Sequence, residues 1–316
     1  MTKDMTQGSP LKLILAFAVP LMLGSLFQQF YNLADTIIVG RFVGVEALAA
    51  VGSVGGLNYL VLGFVNGIAC GFSIPISWTF GAKDYKEMRR YTANTVWLSV
   101  AFAVVLTVVT VALTRAVLVW TNTPANIIDI ADIYIRTIFW GIPFTLLYNV
   151  TSALMRALGD SKRPLYFLIV SSVTNVILDL LFVAVLRWGV WSAALATIIS
   201  QALSAVLCVI HLAKKGTIYQ LKLSALRLDG PLLREILRYG LPAGIQNSVI
   251  GLANVVVQSN INSFGKMATA AYGAYSKIEG FAFLPVTSFT MAITTYVGQN
   301  LGAGMKPRAR KGAIFG

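Results

Sequence analysis

Residues 20–50 read PLMLGSLFQQFYNLADTIIVGRFVGVEALAA, a mostly apolar stretch in which single polar residues recur at intervals. With the apolar residues before it, this stretch exceeds the roughly 20 residues that a helix needs to cross a bilayer. Gln28, Asn32 and Asp35 stand at i, i+4 and i+7, the spacing that places side chains on one helix face. A carboxylate inside a membrane span is costly, so such a residue usually has a function. The stretch therefore predicts a transmembrane helix with a functional polar stripe.

The composition extends this prediction to the whole chain. Of the 316 residues, 57% are hydrophobic and only 12% are charged, and the mean hydropathy is +0.74. A soluble domain carries about 25% charged residues, so a water-soluble globule is excluded, and the aromatic content excludes disorder. The expected fold is an all-α integral membrane protein with about eight transmembrane helices. The predicted spans are residues 13–40, 47–79, 92–120, 133–157, 164–186, 190–213, 235–263 and 268–302.

The positions of Lys and Arg predict the orientation in the membrane. When the segments between spans are assigned alternately to two sides, 19 basic residues fall on one side and 5 on the other. Because basic residues accumulate in cytoplasmic loops, this predicts a multi-pass protein of a bacterial cytoplasmic (inner) membrane, with both termini in the cytoplasm. The net charge of +13 then lies against anionic lipid, and no nucleic acid is needed as a partner.

A faint internal repeat suggests two lobes. Pro20 pairs with Pro242 at an offset of 222 residues, and the same offset pairs Asn32 with Asn254. We predict a six-helix lobe at residues 1–213, a linker at 214–234 that is either surface-bound or solvated, and a partial second lobe of two helices at 235–316. Because a second full copy would exceed 316 residues, the expectation is a C-terminally truncated molecule.

Three acids lie inside the predicted spans: Asp35, Asp179 and Glu279. At about 1.5 Å per helical residue, Asp35 and Asp179 lie roughly 9 and 12 Å below the same surface. Asn175 precedes Asp179 by one turn, and Thr197 on the next helix reaches a similar depth of about 10 Å. These groups offer only oxygen-rich ligands, which suit Na⁺ or a proton. Asp35, Asn175, Asp179 and Thr197 are therefore the predicted cation site.

A second, weaker prediction concerns the lining of a substrate cavity. Gln28 and Asn32 belong to the polar stripe of the first helix, whereas Glu279 lies near the membrane midplane with Lys277 beside it. Residues two apart on a helix do not face each other, so this pair is not a simple ion pair. These four residues are the predicted polar lining.

The sequence offers little for enzyme chemistry. A single histidine, His211, rules out a histidine-rich metal site, and no phosphate-binding loop for ATP is present. We therefore predict no catalytic residue, and no cofactor or metal apart from a coupling ion, H⁺ or Na⁺. The oligomeric state cannot be read from these patterns.

Two motifs carry a resemblance to a known family. The run Pro20…Gln28-Gln29…Asn32…Asp35…Val39-Gly40 and the motif Gly298-Gln-Asn-Leu-Gly-Ala-Gly304 resemble the multidrug and toxic compound extrusion (MATE) family of bacterial transporters. The resemblance implies twelve helices in two six-helix lobes and alternating access driven by H⁺ or Na⁺ antiport. It also implies that an acid on helix one, an Asn-x-x-x-Asp on helix five and a threonine on helix six hold the coupling cation. These positions correspond to Asp35, Asn175, Asp179 and Thr197.

The predicted function is secondary active export of amphipathic, cationic small molecules by cation antiport. Val257 stands at the repeat equivalent of Asp35, and the predicted seventh span contains no acid apart from Glu235 at its start, so a cation site in the second lobe is disfavoured. The alternatives are a flippase for lipid-linked precursors, an intramembrane transferase or hydrolase, and a truncated remnant that does not transport.

Overall fold

A computed structural model describes residues 4–121, 123–214, 228–262, 264, 272, 275 and 278–315. Elements in this part of the chain are helical, and they are numbered here in chain order. The α-helices are α1 (Pro10–Phe42), α2 (Val45–Ser53), α3 (Gly55–Gly81), α4 (Tyr85–Trp120), α5 (Ile128–Trp140), α6 (Ile142–Ala157), α7 (Lys162–Asp179), α8 (Val190–Ala213), α9 (Gly230–Asn262), α10 (Leu284–Gly302) and α11 (Lys306–Phe315). A π-helical segment, Leu180–Val185, continues α7.

The helices confirm the all-α membrane class. Among the described residues, six helices are long and apolar enough to cross a membrane, and a seventh span results if α5 and α6 are one span bent by 44°. The α5–α6 break falls at Gly141, where an added Cβ would lie 2.6 Å from the Ile198 side chain. The predicted span 47–79 is likewise divided, into α2 and α3. Helix α9, at the position of the predicted seventh span, is 33 residues long but is not among the six.

Helices α1 to α8 pack into one bundle. Helix α1 lies along α7, α7 lies along α8, and α8 also contacts α5 and α6. The core contains buried apolar side chains such as Ile68, Phe72 and Phe139. In contrast, α4 exposes Val104, Val108 and other apolar residues on its outer face, as expected for a helix in lipid.

Helices α3 and α9 approach each other through small residues. A Cβ on Gly67 would lie 2.4 Å from the carbonyl oxygen of Ala243, and one on Gly71 would lie 2.5 Å from the Cα of Gly240. No side chain fits at these distances, so only glycine allows the two backbones to come this close. This contact joins the α1–α8 bundle to α9.

The end of the bundle where α1 begins carries most of the basic residues, and we call it the basic end. Here α10 packs against α1 and α3, and α11 contacts α10 and α1. Arg308 of α11 donates a 2.6 Å hydrogen bond to the carbonyl of Gly8. The short α11 thus connects the N-terminal residues with α10. The predicted linker lies largely in residues 215–227, outside the described residues, so its two interpretations stay predictions.

Candidate functional site

Asp179 is the last residue of α7 and lies directly before the π-helical segment. Its side chain is fully buried, with no exposed surface. Neither carboxyl oxygen has a hydrogen-bond partner among the described residues. Helical turns of the π type are rare and occur frequently at functional sites. A buried carboxyl group without a partner is costly, so this position requires a ligand or a proton.

Asp35 of α1 faces the same region. Helix α1 packs against both α7 and the π-helical segment, which brings the two carboxyl groups close enough for their charges to interact. One carboxyl oxygen of Asp35, Oδ1, is buried and has no hydrogen-bond partner in the described part of the chain. The packing of α1 against α7 and the π-helical segment agrees with the common depth predicted for the two acids.

Asn175 and Thr197 connect α7 with α8 beside this pair. The Asn175 Nδ2 donates a hydrogen bond of 3.4 Å to the Thr197 hydroxyl, which in turn donates to the carbonyl of Ala193 over 3.2 Å. Asn175 is 2% exposed, and its Oδ1 has no partner among the described residues. Because Asn175 precedes Asp179 by four residues, its side chain lies one turn away on the same side of α7.

Tyr31 and Tyr134 lie within electrostatic range of the carboxylates, Gln201 lies beside Tyr31, and none of the three was predicted from the sequence. Tyr31 lies beside the side chains of Gln28 and Gln201 and within electrostatic range of both carboxylates. Tyr134 of α5 is also within range of both. Tyr31 stands four residues before Asp35, and this spacing alone would have placed the two side chains on one face of α1. No sequence signal pointed to Tyr134 or Gln201, because their proximity depends on how α5 and α8 pack.

Among the described residues, no basic side chain forms an ion pair with either carboxyl group. In the part of the chain that the structure describes, the ion pairs of Asp and Glu join Arg90 to Asp229, Arg115 to Asp129, Arg136 to Asp132 and Arg163 to Asp160. Neither Asp35 nor Asp179 takes part in an ion pair there. A buried carboxyl group and a partly buried one, without a cationic partner among the described residues, favour the binding of a proton or a metal cation.

The polar lining of the substrate cavity stays a prediction. Gln28 and Asn32 are exposed on α1, and Gln28 lies beside Tyr31. Glu279 is partly exposed and accepts a 3.2 Å hydrogen bond from the Tyr275 hydroxyl. The neighbouring Gly280 lies near Gln29, since a Cβ there would be 3.2 Å from the Gln29 Nε2. Lys277 lies outside the described residues.

The chain is similar to curated bacterial multidrug proteins. It is 33% identical over 302 residues to the probable multidrug resistance protein YoeA of Bacillus subtilis (strain 168), with 93% of this chain and 65% of YoeA covered. It is 31% identical over 311 residues to the probable multidrug resistance protein YpnP of the same strain, with 96% and 68% covered. The chain therefore spans about two thirds of the length of these relatives.

Solved structures and a family model agree with this similarity. A crystal structure of a MATE protein in complex with MaL6 superimposes with a TM-score of 0.93 at 25% identity, covering 100% of this chain and 71% of the other. A structure described as an outward-facing multidrug resistance MATE family transporter gives 0.92 at 24%, covering 99% and 70%, and shows the same fold. The MatE family model matches two stretches, residues 20–181 and 242–316, which begin at Pro20 and Pro242. The chain belongs to the MatE family of multidrug and toxic compound extrusion transporters.

Proposed function

We propose that this chain carries the cation site of a secondary antiporter that exports amphipathic, cationic compounds. The single observation that supports the proposal most is the group of unpartnered oxygens at Asp35, Asp179 and Asn175. Burial without partners is unfavourable for a carboxyl group, and a coupling cation relieves it. The family membership and the names of the bacterial relatives support export of drug-like molecules.

The coupling cation, H⁺ or Na⁺, is transported and is not a resident cofactor. Asp35 and Asp179 supply the charge, while the Asn175 Oδ1 and the Thr197 hydroxyl supply neutral oxygens. Binding of one monovalent cation reduces the negative charge of the two carboxyl groups by one unit, so it changes the electrostatic energy of the contact between α1 and α7. A ligand shifts a conformational equilibrium only through such a difference in affinity between states. The cation and the drug favour different conformational states of the protein, so the binding of one promotes the release of the other.

The orientation and membrane belong to the same proposal. The basic end faces the cytoplasm of a bacterium, and the chain lies in its cytoplasmic membrane, because the basic residues gather at one end. The lobes at residues 1–213 and 235–316 are the moving parts. Contacts through Gly67 and Gly71, in the middle of α3, join them.

Cation binding to the purified chain tests the proposal. We expect radioactive Na⁺ to bind, or protons to be taken up on acidification, in the unmodified protein. Binding is lost in both Asp35→Asn and Asp179→Asn, which keep the size of the side chain. Asp129→Asn is the matched control, because Asp129 is exposed and pairs with Arg115. Undiminished binding in both site variants overturns the assignment.

A transport assay tests the coupling. In proteoliposomes, an inward-directed cation gradient is expected to drive the counter-movement of a fluorescent cationic dye in the unmodified protein and in Asp129→Asn. The two site variants abolish this movement. Dye movement that is independent of the cation gradient contradicts antiport.

A further inference from the structure

Several buried oxygen atoms beyond the carboxylate pair also lack hydrogen-bond partners among the residues that the structure describes. They lie on α7 and α8, closer to the basic end than Asn175, and are the Ser172 Oγ, the Ser200 Oγ and the Gln201 Oε1. Ser172 and Ser200 are 7% and 2% exposed. Unsatisfied buried polar atoms are rare, and several in one region indicate ordered water that the protein groups share.

A direct contact between α7 and α8 shows how far along the bundle these atoms lie. The Ser171 hydroxyl donates a 2.6 Å hydrogen bond to the backbone carbonyl of Ser200, which joins α7 and α8 at this point. One turn further from the basic end, Asn175 meets Thr197 in the same way. The unpartnered atoms therefore continue the carboxylate site along the α7–α8 contact.

Serine in a membrane helix normally bonds back to a carbonyl of its own helix. Ser204 does so, because its hydroxyl donates to the carbonyls of Ser200 and Gln201 over 3.3 and 3.0 Å. Ser200, one turn earlier on the same helix, leaves its hydroxyl without a partner among the described residues. The contrast between these two buried serines indicates that Ser200 faces something other than protein.

Tyrosines extend the polar region toward the basic end. Tyr31 lies beside Gln201 and within electrostatic range of Tyr148 on α6. Tyr148 lies beside Ser152, whose hydroxyl accepts a 2.6 Å hydrogen bond from the Arg156 guanidinium. Arg156 stands in the last turn of α6, at the basic end. The unpartnered oxygens of α7 and α8 and the Arg156–Ser152 hydrogen bond thus lie between the level of Asp179 and the basic end of the bundle.

We propose that these groups line a column of ordered water inside the α1–α8 bundle, and that the column conducts the coupling proton between the carboxylate pair and the basic end. A proton leaves a carboxyl oxygen of Asp179 for the adjacent water, and another proton leaves the far end of the column, so charge is conserved at each transfer. The conducting role rests on the proposed cation site, whereas the presence of the water column does not depend on that site.

Radiolytic hydroxyl-radical labelling of the purified chain tests for the water. Radicals form from water itself, so a buried aromatic ring is modified only where ordered water touches it. We expect the buried Tyr148 to be modified and Phe72, which is fully buried in the apolar core, to remain unmodified. If Tyr148 is as inert as Phe72, the column does not exist.

Two variants locate the column. Gln201→Leu replaces the unpartnered amide by an apolar group of similar size and should reduce labelling of Tyr148 several-fold. Ser200→Ala removes one unpartnered hydroxyl with little change in packing and should also reduce the labelling of Tyr148. This second variant keeps the test valid if Gln201→Leu does not fold. Ser204→Ala is the matched control and should leave labelling unchanged, because the Ser204 hydroxyl is satisfied within its helix. Equal loss in Ser204→Ala contradicts the assignment.

Infrared spectroscopy after a pH jump tests the conducting role. The carbonyl band of protonated carboxyl groups should follow the new pH more slowly in Gln201→Leu, with an unchanged final amplitude. Asp35→Asn and Asp179→Asn should instead reduce the amplitude. An amplitude that neither aspartate variant changes refutes the cation site and leaves the labelling result intact. An unchanged rate in Gln201→Leu refutes only conduction through the column.

Discussion

Gly81 of α3 and Gly302 of α10 make reciprocal contacts at the basic end, each packing against the backbone of the other helix. A Cβ on Gly81 would lie 1.9 Å from the carbonyl oxygen of Gln299, and one on Gly302 would lie 2.0 Å from that of Trp78. Each glycine thus packs against the residue three positions before the other glycine. The offset between the two halves is 221 residues at this point, so the contact is reciprocal between repeats. Two repeat-related helices that meet about a pseudo-twofold axis make contacts of this kind.

Replacement of either glycine by alanine should destabilise the protein. The added methyl group meets backbone atoms, which cannot rotate away, so α3 and α10 must separate. Overpacking of this kind costs about 1–3 kcal/mol. Thermal unfolding in detergent, followed by circular dichroism, should show a lower midpoint for Gly81→Ala and for Gly302→Ala.

Gly52→Ala is the control for these variants. Nothing lies within 4 Å of an added Cβ at Gly52. Alanine is favoured over glycine within a helix by about 1 kcal/mol, so this variant should be neutral or slightly stabilised. Equal destabilisation of all three variants contradicts a specific contact between α3 and α10.

Gln299 joins three parts of the chain, and its replacement should loosen all three. Its Nε2 donates to the carbonyl of Ala157 over 2.8 Å, and its Oε1 accepts from the backbone N–H of Met5 over 2.9 Å. Gln299→Leu leaves both backbone groups buried without partners, at about 1–3 kcal/mol for each. The thermal midpoint should fall, and hydrogen exchange should become faster near Met5 and Ala157. Thr294→Val, at an exposed position on the same helix, should change neither.

The hydroxyl of Thr197 should distinguish Na⁺ from a proton as the coupling ion. Na⁺ needs several oxygen ligands, whereas a proton needs only a carboxylate. Thr197→Val keeps the shape of the side chain and removes one ligand, so Na⁺ affinity should fall by about tenfold, or about 1.4 kcal/mol. Isothermal titration with NaCl measures this change.

Thr174→Val provides the comparison, because Thr174 is outside the carboxylate site and its hydroxyl donates to Val170 in its own helix. Its Na⁺ affinity should match that of the unmodified protein. A Thr197→Val protein that binds Na⁺ normally shows that this hydroxyl is not a ligand.

Cysteine labelling should establish which end of the molecule faces the cytoplasm. In a variant without Cys70 and Cys208, a single cysteine replaces either Lys86 at the basic end or Ala125 at the opposite end, both exposed positions. A membrane-impermeant maleimide added to intact cells should label Ala125→Cys only. Labelling of Lys86→Cys before the cells are opened shows the reverse orientation.

The similar depth of Asp35 and Asp179 was predicted from the sequence by assuming a regular α-helix, although residues 180–185 after Asp179 form a π-helical segment. At a constant rise per residue, sequence distance from a charged loop gives the depth of a side chain in the membrane. The neighbours of the pair could not be predicted in this way. Tyr134 lies within range of the pair, and Gln201 lies beside Tyr31, because of the way α5 and α8 pack against the other helices.

The apolar runs and their polar interruptions determined on their own that this chain is an all-helical membrane protein. They also placed two carboxylates at one depth, because hydrophobicity and helical rise act locally along the chain. Only the tertiary structure decided that α2 and α3 separate, that glycines let α3 approach α9 and α10 closely, and that Gln299 connects Met5 with Ala157. These features depend on contacts between residues far apart in sequence, where the fit of facing surfaces, and not local pattern, selects the arrangement.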